Sequence, residues 1–233
     1  MNPYIATFLT FAIAIAFLRF MDFLAHQRVI ESKLSRKLIH IGTGPIFVLC
    51  WLMFPDMPAA RYLAALIPLL ITVQFLLVGT GVIKDEAAVQ AMTRTGNPKE
   101  ILRAPLFYGI VFVVLTVLYW KDSPIGITAL MMMCGGDGIA DIVGRRVKSP
   151  KLFWSPEKSV AGSLSVFVGG GLLAALILWI YVNAGIFPGS FGNYIPPVVW
   201  IALGAMLVES LPFKDIDNIT LTVVSALLGH LLF

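Results

Sequence analysis

Apolar runs long enough to cross a lipid bilayer recur along the whole chain, and they restrict its fold more than any other feature. Eight runs qualify as candidate spans, at residues 4–18, 39–54, 59–78, 104–120, 124–144, 159–182, 196–211 and 218–233. A helix needs about 20 apolar residues to cross a hydrocarbon core of about 30 Å. Since the last run would extend for only about 24 Å as a helix, the sequence predicts seven or eight transmembrane helices.

The composition agrees with a membrane location, because 58% of the 233 residues are hydrophobic and only 13% are charged. We therefore predict an all-α, polytopic integral membrane protein. No polar block is large enough to fold separately, so we expect a single membrane-embedded domain over residues 1–233. We expect the first run to be a retained helix rather than a signal peptide. Cys50 and Cys134 lie within apolar runs, and we expect them to be buried rather than disulfide-bonded.

Basic residues are distributed unevenly between the two sides of the predicted bundle. The loops after the first, third, fifth and seventh runs contain nearly all of the Lys and Arg residues, whereas the opposite side keeps only Arg61 and Lys121. The long connection at 183–197 carries no charge. Because basic loops stay on the cytoplasmic side, we expect both termini to face outward. The net charge of +4 then reflects topology and attraction to anionic headgroups or phosphates, and it gives no support for a nucleic-acid partner.

This topology gathers the unusual polar motifs at the cytoplasmic interface. They are RKLIH (36–40), KDE (84–86), NPKEILR (97–103), GGDGIADIVGRR (135–146), SPEKSVAGS (155–163), Glu209 and DIDN (215–218). An ion or proton pathway would instead place charges near the middle of the membrane on several helices. The convergence therefore favours one site at the membrane surface.

Asp137 and Asp141 need an explanation, because an acidic side chain near the bilayer centre costs about 2.5–3.5 kcal/mol on insertion scales. Their spacing of four places both carboxylates on one helix face, with Cβ atoms about 5–6 Å apart. The pair can therefore share a divalent cation or a bound substrate. The alternative is structural: Asp141 pairs with Arg145 at the end of the helix, and Asp137 lies in interfacial water.

Basic side chains and a helix N-terminus follow the two aspartates and favour phosphate binding. The residues concerned are Arg145, Arg146, Lys158, Ser159, Gly162 and Ser163. Lysine supplies a point charge, the serines can donate hydrogen bonds, and a helix N-terminus presents free N–H groups. The chain has no Walker A pattern, so a nucleotide would be held in another way.

Structural explanations also exist for several of these residues. Lys158 could extend to the interface while Ser159 caps the following helix. Arg36 and Lys37 could anchor their helix on the cytoplasmic side. His40 lies one turn after Arg36 on the same face, and it could be a hydrogen-bonding partner within the core.

In chain order, RKLIH, GDGIADIVGRR, EKSVAGS and Glu209 followed by Asp217-Asn218 resemble the polyprenol kinase family, which includes dolichol kinase and phytol kinase. The resemblance covers nearly the whole chain from Arg36 onward. KSVAGS is similar to the phytol kinase form, whereas dolichol kinases more often have an acidic residue where this chain has Ala161. The resemblance implies transfer of a phosphoryl group, usually from CTP, to the hydroxyl group of a long isoprenoid alcohol, with a divalent metal.

This chemistry suggests a role for each candidate residue. We expect Asp137, Asp141 and Lys158 to be catalytic. The expected nucleotide-binding residues are Arg36, Lys37, His40, Arg145, Arg146, Lys158, Ser159, Gly162, Ser163 and Asn218. The expected Mg²⁺ ligands are Asp137, Asp141, Glu209 and Asp217. The partners would be the nucleoside triphosphate, the prenol and the bilayer, and assembly into a homo-oligomer is left open.

Two other classes of protein compete with this interpretation. A CDP-alcohol phosphotransferase or a cytidylyltransferase also uses paired aspartates at this interface, but the former resembles DGxxAR, and here Asp141 stands where that alanine would be. A small membrane transporter or a non-catalytic scaffold would need no nucleotide, and its charges need not converge on one face.

Overall fold

The structure is a computed structural model that describes residues 1–93, 95–213 and 216–233. Arg94 and Lys214 of the predicted basic loops, and Asp215 of the DIDN motif, lie outside the described residues. Eleven α-helices, several short 3₁₀- and π-helical segments and one small hairpin are present in the described part of the chain. The helices are α1 (Pro3–His26), α2 (Ser32–Cys50), α3 (Ala60–Gly79), α4 (Glu86–Met92), α5 (Ala104–Leu118), α6 (Pro124–Met131), α7 (Gly138–Arg146), α8 (Val160–Ser165), α9 (Gly171–Asn183), α10 (Ile195–Glu209) and α11 (Asp217–Leu232).

The prediction of an all-α, polytopic membrane protein is confirmed. Within the described residues, six helical segments are long and apolar enough to cross a membrane. They are Pro3–His26, Ala60–Gly79, Pro98–Leu118, Pro124–Arg146, Val160–Asn183 and Phe191–Glu209. The predicted number of seven or eight is not confirmed, because α2 and α11 fall outside this set. Helix α2 carries three basic residues in its first two turns, and α11 has only 16 residues.

Two of the long segments contain a π-helical turn where they cross. Met132–Asp137 joins α6 to α7, and Val166–Gly170 joins α8 to α9. Glycines allow the two turns to touch: a Cβ atom on Gly170 would lie 3.3 Å from Met132 Cα, and one on Gly135 would lie 3.3 Å from the Gly169 carbonyl oxygen. Such turns often occur at functional sites, and here the first one ends at Asp137.

Residues 145–158, expected to be a basic loop, contain a β-hairpin that the sequence analysis did not predict. Strands β1 (Lys151–Leu152) and β2 (Ser155–Ser159) pair antiparallel, with Lys151 opposite Ser159. Strand β2 leads directly into α8, and the Ser159 hydroxyl accepts a hydrogen bond from the Gly162 amide. Ser159 therefore caps α8, as its structural alternative required, and its expected nucleotide-binding role stays a prediction.

The two basic residues of the opposite side each have an acidic partner. Arg61 forms an ion pair with Asp122, and Lys121 lies 2.6 Å from Asp56 and donates to the Phe54 carbonyl at 2.9 Å. The hydrogen bond from Lys121, together with its charge, lowers the pKa of Asp56. This end of the bundle therefore presents little net positive charge, and the predicted orientation in the membrane stays a prediction. Cys50 and Cys134 are buried and free, as expected.

The predicted orientation can be tested with single cysteines in a variant in which Cys50 and Cys134 are replaced by Ala. We expect Ser190→Cys, in the uncharged connection, to react with a membrane-impermeant thiol reagent applied outside intact cells. Lys148→Cys, in the exposed segment before the hairpin, should react only after permeabilisation. Residues 19–37 and 79–103 should behave like position 148. Equal labelling of both cysteines in intact cells would contradict the predicted topology.

Candidate functional site

A cavity of about 810 Å³ opens at the charged end of the bundle and continues between the helices. Its size is within the range of small-molecule sites. All of the predicted site residues except Arg146 line it. The cavity walls come from the hairpin, the segment 95–103 and the helices α1, α2, α3, α4, α5, α7, α8, α10 and α11. Motifs that are far apart in the sequence therefore meet in one place, as the convergence of polar residues indicated.

Lys37 lies between the two predicted aspartates. Its Nζ atom is 4.0 Å from Asp137 Oδ2 and 3.4 Å from Asp141 Oδ2. Asp141 is also paired with Arg145, whose Nη2 atom lies 2.8 Å from Oδ1. The helix-closing ion pair is thus present. Helix closure alone does not require a lysine from α2 that bridges both carboxylates. We name Lys37, His40, Asp137, Asp141 and Arg145 the Lys37 cluster.

His40 approaches Asp137 from the same helix as Lys37. Its Nε2 atom is 3.4 Å from Asp137 Oδ2 and 3.3 Å from the Met133 carbonyl oxygen, which belongs to the π-helical turn. The Tyr108 hydroxyl donates to the His40 carbonyl at 2.6 Å, and the two rings are 4.4 Å apart. Gly138 permits this approach, because a Cβ atom there would lie 3.2 Å from His40 Cδ2. His40 is therefore held by Tyr108 and in turn contacts Asp137.

Lys158 lies at the end of the hairpin and makes a second set of ionic contacts. Its Nζ atom is 3.1 Å from Glu209 Oε1 and 3.7 Å from Asp217 Oδ2, and it donates to the Glu209 carbonyl. The Ser163 hydroxyl donates to Glu209 Oε2 at 3.2 Å. The Lys158 side chain is only 16% exposed, so it lies within the bundle and does not extend into the surrounding water. We name Lys158, Ser159, Ser163, Glu209 and Asp217 the Lys158 cluster.

Asn218 supplies a polar group to the cavity from the first turn of α11. It is 5% exposed, and its Nδ2 atom donates to the Ala104 carbonyl at 3.2 Å. Its Oδ1 atom has no hydrogen-bond partner among the residues that the structure describes. Because buried polar atoms are normally satisfied, this oxygen is suited to accept a hydrogen bond from a ligand.

The remaining predicted residues differ in how closely they approach the two clusters. Arg36 lines the cavity and donates to the Thr93 carbonyl at 2.6 Å. Gly162 lines it as well, and its Cα atom packs against Gly144, which lets α8 approach α7. Arg146 is exposed and does not line the cavity; it lines a smaller neighbouring groove together with Lys37, Asp141 and Arg145. The structure therefore places Arg146 at the outer edge of the predicted site.

Several cavity residues were not among the predicted site residues. Glu100 and Arg103 lie in the NPKEILR motif, which the sequence analysis placed at this interface without giving it a role. Lys151, on β1, also lines the cavity, and its Nζ atom donates to the Glu157 carbonyl at 3.1 Å. Nothing in the sequence predicted that Tyr108 would line the cavity, because a tyrosine in an apolar helix is common.

The predicted metal ligands form two pairs rather than one group. Asp137 and Asp141 meet at Lys37, whereas Glu209 and Asp217 meet at Lys158. Within the described ranges, no group of three or more His, Cys, Asp and Glu side chains is arranged to hold a metal ion. Mg²⁺ is usually bound by one or two carboxylates together with substrate phosphates. The aspartate pair fits that requirement once a phosphate supplies further oxygens.

Fold and site together define a multi-pass helical membrane protein. The cavity at one end of its helix bundle contains the Lys37 and Lys158 clusters, and we call this charged part of the cavity the chamber. Curated proteins resemble this chain over nearly its full length. A probable chloroplastic phytol kinase 1 of Oryza sativa subsp. japonica is 42% identical over 98% of this chain and 73% of its own length. Phytol kinase 1 of Arabidopsis thaliana is 38% identical over 90% of this chain and 70% of its own. The farnesol kinase of the same plant is 38% identical over 96% and 73%.

The chain therefore belongs to the polyprenol kinase family and lies within its phytol kinase branch. No family model matches the chain, and no solved structure matches it.

Proposed function

We propose that this protein phosphorylates a long-chain isoprenoid alcohol, phytol or a related prenol, and releases the prenyl monophosphate. The donor is a nucleoside triphosphate, and we propose CTP. One observation carries the proposal: a single cavity joins the two charged clusters to an apolar space between membrane helices. A lipid alcohol needs both environments at once, because its tail must avoid water while its hydroxyl group meets a phosphate. The relatives named as phytol kinase and farnesol kinase support it.

The arrangement suits phosphoryl transfer, which depends on alignment and on charge stabilisation more than on covalent chemistry. Lys158 and Arg145 would bind phosphate oxygens from two sides of the chamber. Ser159 and the N-terminus of α8 add hydrogen-bond donors. The prenol hydroxyl would lie beside Asp137, and the carboxylate oxygen of Asp137 that does not bind the metal would accept the hydroxyl proton. His40 would keep that carboxylate oriented.

Ligand binding requires the existing ion pairs to be exchanged. Lys37 now contacts both aspartates, and Lys158 contacts Glu209 and Asp217. Phosphate oxygens would replace the carboxylates as the ionic partners of these two lysines. The aspartate pair would then hold Mg²⁺, which neutralises phosphate charge when it is bound. Asn218 would accept a hydrogen bond from the nucleotide. The basic loops that surround the chamber favour an opening on the cytoplasmic side.

The first test is a transfer assay with purified protein, Mg²⁺ and γ-labelled CTP, UTP or ATP. We expect label to move from CTP to phytol, geranylgeraniol or farnesol, and diacylglycerol to be a poorer acceptor. Omission of Mg²⁺ should abolish transfer. The product should be an alcohol monophosphate that a phosphatase converts back to the starting alcohol.

The same assay separates the competing classes. Exchange of a CDP-linked headgroup without labelling of any alcohol would contradict the kinase proposal and favour a CDP-alcohol phosphotransferase. Absence of nucleotide binding, measured by equilibrium dialysis with labelled CTP, would favour a transporter or a scaffold.

A further inference from the structure

Beyond the charged clusters, the cavity continues as an apolar arm between α1, α2, α3 and α5. Residues that line it include Phe17, Ile46, Phe47, Ile67, Ile71 and Phe112. Among the residues that the structure describes, no Lys, Arg, Asp or Glu side chain lines this part, although the charged part of the cavity that it joins is rich in them. The arm is therefore suited to a hydrocarbon chain rather than to a polar ligand.

The length of the arm follows from the helices that border it. His40 lies at its charged end and Cys50 at its far end, and both line the cavity on α2. Ten residues of α-helix extend for about 15 Å. Helix α1 runs antiparallel along the same side, with Phe17 against Gly42 and Thr10 beside Cys50. The arm thus reaches about half of the way through a hydrocarbon core of about 30 Å.

Packed aromatic rings close the far end of the arm. The ring of Phe47 is 5.7 Å from that of Phe112 and 5.8 Å from that of Trp51. Behind them, Trp120 is 5.0 Å from Trp51 and 5.6 Å from Phe54. Trp51, Phe54 and Trp120 are at most 3% exposed. These packed rings would stop a hydrocarbon tail that enters the arm from its charged end.

Helix α1 forms the thinnest wall of the arm. Only Ala6 and Thr10 of its residues are buried, so most of its surface faces the bilayer. Ala14 lies between Phe17 and Thr10 and lines the cavity, whereas Ala16 is exposed and does not. A larger side chain at position 14 would therefore narrow the middle of the arm without displacing a packed neighbour helix from the core.

We propose that this arm is the slot that binds the hydrocarbon tail of the alcohol. Ala14 sets the width of the slot at its middle, and the packed aromatic rings at its far end limit the length of the alcohol. The inference rests on the proposed function, since the hydroxyl end must reach Asp137. Farnesol matches the length of the arm in its extended form. Geranylgeraniol and phytol, whose main chains are four carbons longer, fit when their hydroxyl end lies in the charged part of the cavity. Dolichol, which is many times longer, exceeds it and is a poor acceptor.

The test compares Ala14→Phe with the matched variant Ala16→Phe, which adds the same ring on the bilayer side of the same helix. For Ala14→Phe we expect the KM for phytol to rise about 10–100-fold. The KM for geraniol, whose main chain has half as many carbons as that of phytol, should rise much less. Ala16→Phe should behave like the wild-type protein with both alcohols. Equal thermal unfolding midpoints for the two variants would exclude a general loss of structure.

A second measurement reports binding without transfer. In a Cys134→Ala background, Cys50 at the end of the slot is the remaining thiol. Phytol, and equally phytyl methyl ether, which has no hydroxyl group to phosphorylate, should slow the reaction of Cys50 with a small membrane-permeant thiol reagent. Geraniol should protect it less.

The outcomes separate the two proposals. Protection of Cys50 by phytol without any phosphorylation would leave the slot in place and overturn the kinase function. Phosphorylation of phytol without protection of Cys50, or equal effects of Ala14→Phe and Ala16→Phe on the KM for phytol, would overturn the slot and leave the kinase function standing. Phosphorylation of dolichol as efficient as that of phytol would overturn the length limit.

Discussion

Lys158→Met should lower turnover by about 10²–10³-fold, the usual effect of removing a group that stabilises charge in a transition state. Lys158 lies inside the chamber, with its amino group 3.1 Å from Glu209 and 3.7 Å from Asp217. Methionine has a similar length and fills the same space, so the change removes charge rather than volume. The loss should appear in kcat when nucleotide is saturating, because the lysine contacts charge that develops during transfer.

The same substitution has a structural consequence that must be separated from the chemical one. Glu209 has a side-chain exposure of only 9%, and removal of its cation leaves an uncompensated carboxylate, which can cost about 3–5 kcal/mol of stability. Kinetics should therefore be measured below the thermal unfolding midpoint of the variant in detergent. The double variant Lys158→Met/Glu209→Gln removes both charges and should recover most of that stability.

The double variant also decides between the two roles of Lys158. If the lysine acts on the phosphate, the double variant has a restored fold and a turnover far below that of the single variant Glu209→Gln, which keeps the lysine. Recovery of turnover together with stability would mean that Lys158 only supports packing. Lys148→Met, in the exposed segment before the hairpin, is the matched control for loss of one positive charge, and it should retain near wild-type activity.

Much of the site could be inferred from the sequence because a membrane restricts where charges can lie. The uneven distribution of Lys and Arg sets an orientation, and the orientation brings Lys37, Asp137 and Lys158 to the same end of the bundle. Their shared cavity follows from that constraint without knowledge of helix packing. The aspartate spacing is equally direct, since residues four apart share a helix face.

Other features depend on contacts that no local pattern contains. The hairpin at 151–159 is too short to show a strand periodicity, and its pairing places Lys158 beside Glu209. The π-helical turn before Gly138 arises from the crossing of two glycine-rich helices. Helix α2 begins at Ser32, seven residues before the predicted span, because charged residues continue the helix beyond the apolar run.

The same limits explain the one predicted residue that the structure leaves out of the cavity. Arg145 and Arg146 are adjacent in the sequence, and residue type alone does not show which of them faces the cavity. Adjacent helical residues point about a quarter turn apart, so Arg145 reaches Asp141 while Arg146 is exposed outside the chamber. Which of the two arginines faces a ligand depends on the rotation of α7 against α2.

Asp137→Asn and Asp141→Asn should each reduce turnover by about 10²–10³-fold, and both should raise the Mg²⁺ concentration needed for half of the residual rate. Asparagine keeps the size of the side chain and removes the charge that Mg²⁺ requires. Stability should change by no more than about 1 kcal/mol, because these side chains are 21% and 25% exposed and Lys37 keeps the other carboxylate as a partner. The matched control is Asp22→Asn, an exposed acidic residue near the charged end of α1.

A purely structural role for the pair predicts a different pattern. If Asp141 only closes its helix through Arg145, then Asp141→Asn and Arg145→Gln should have the same small effect on stability, about 0.3–0.5 kcal/mol for an i,i+4 pair, and turnover should persist. Under the metal-site interpretation, Arg145→Gln affects nucleotide affinity and leaves the Mg²⁺ requirement unchanged, whereas Asp141→Asn shifts that requirement. Turnover measured against Mg²⁺ concentration for Asp137→Asn, Asp141→Asn and Arg145→Gln distinguishes the structural role from the metal-site role. If both aspartate variants keep the wild-type turnover and the wild-type Mg²⁺ dependence, this pair is not part of the reaction centre.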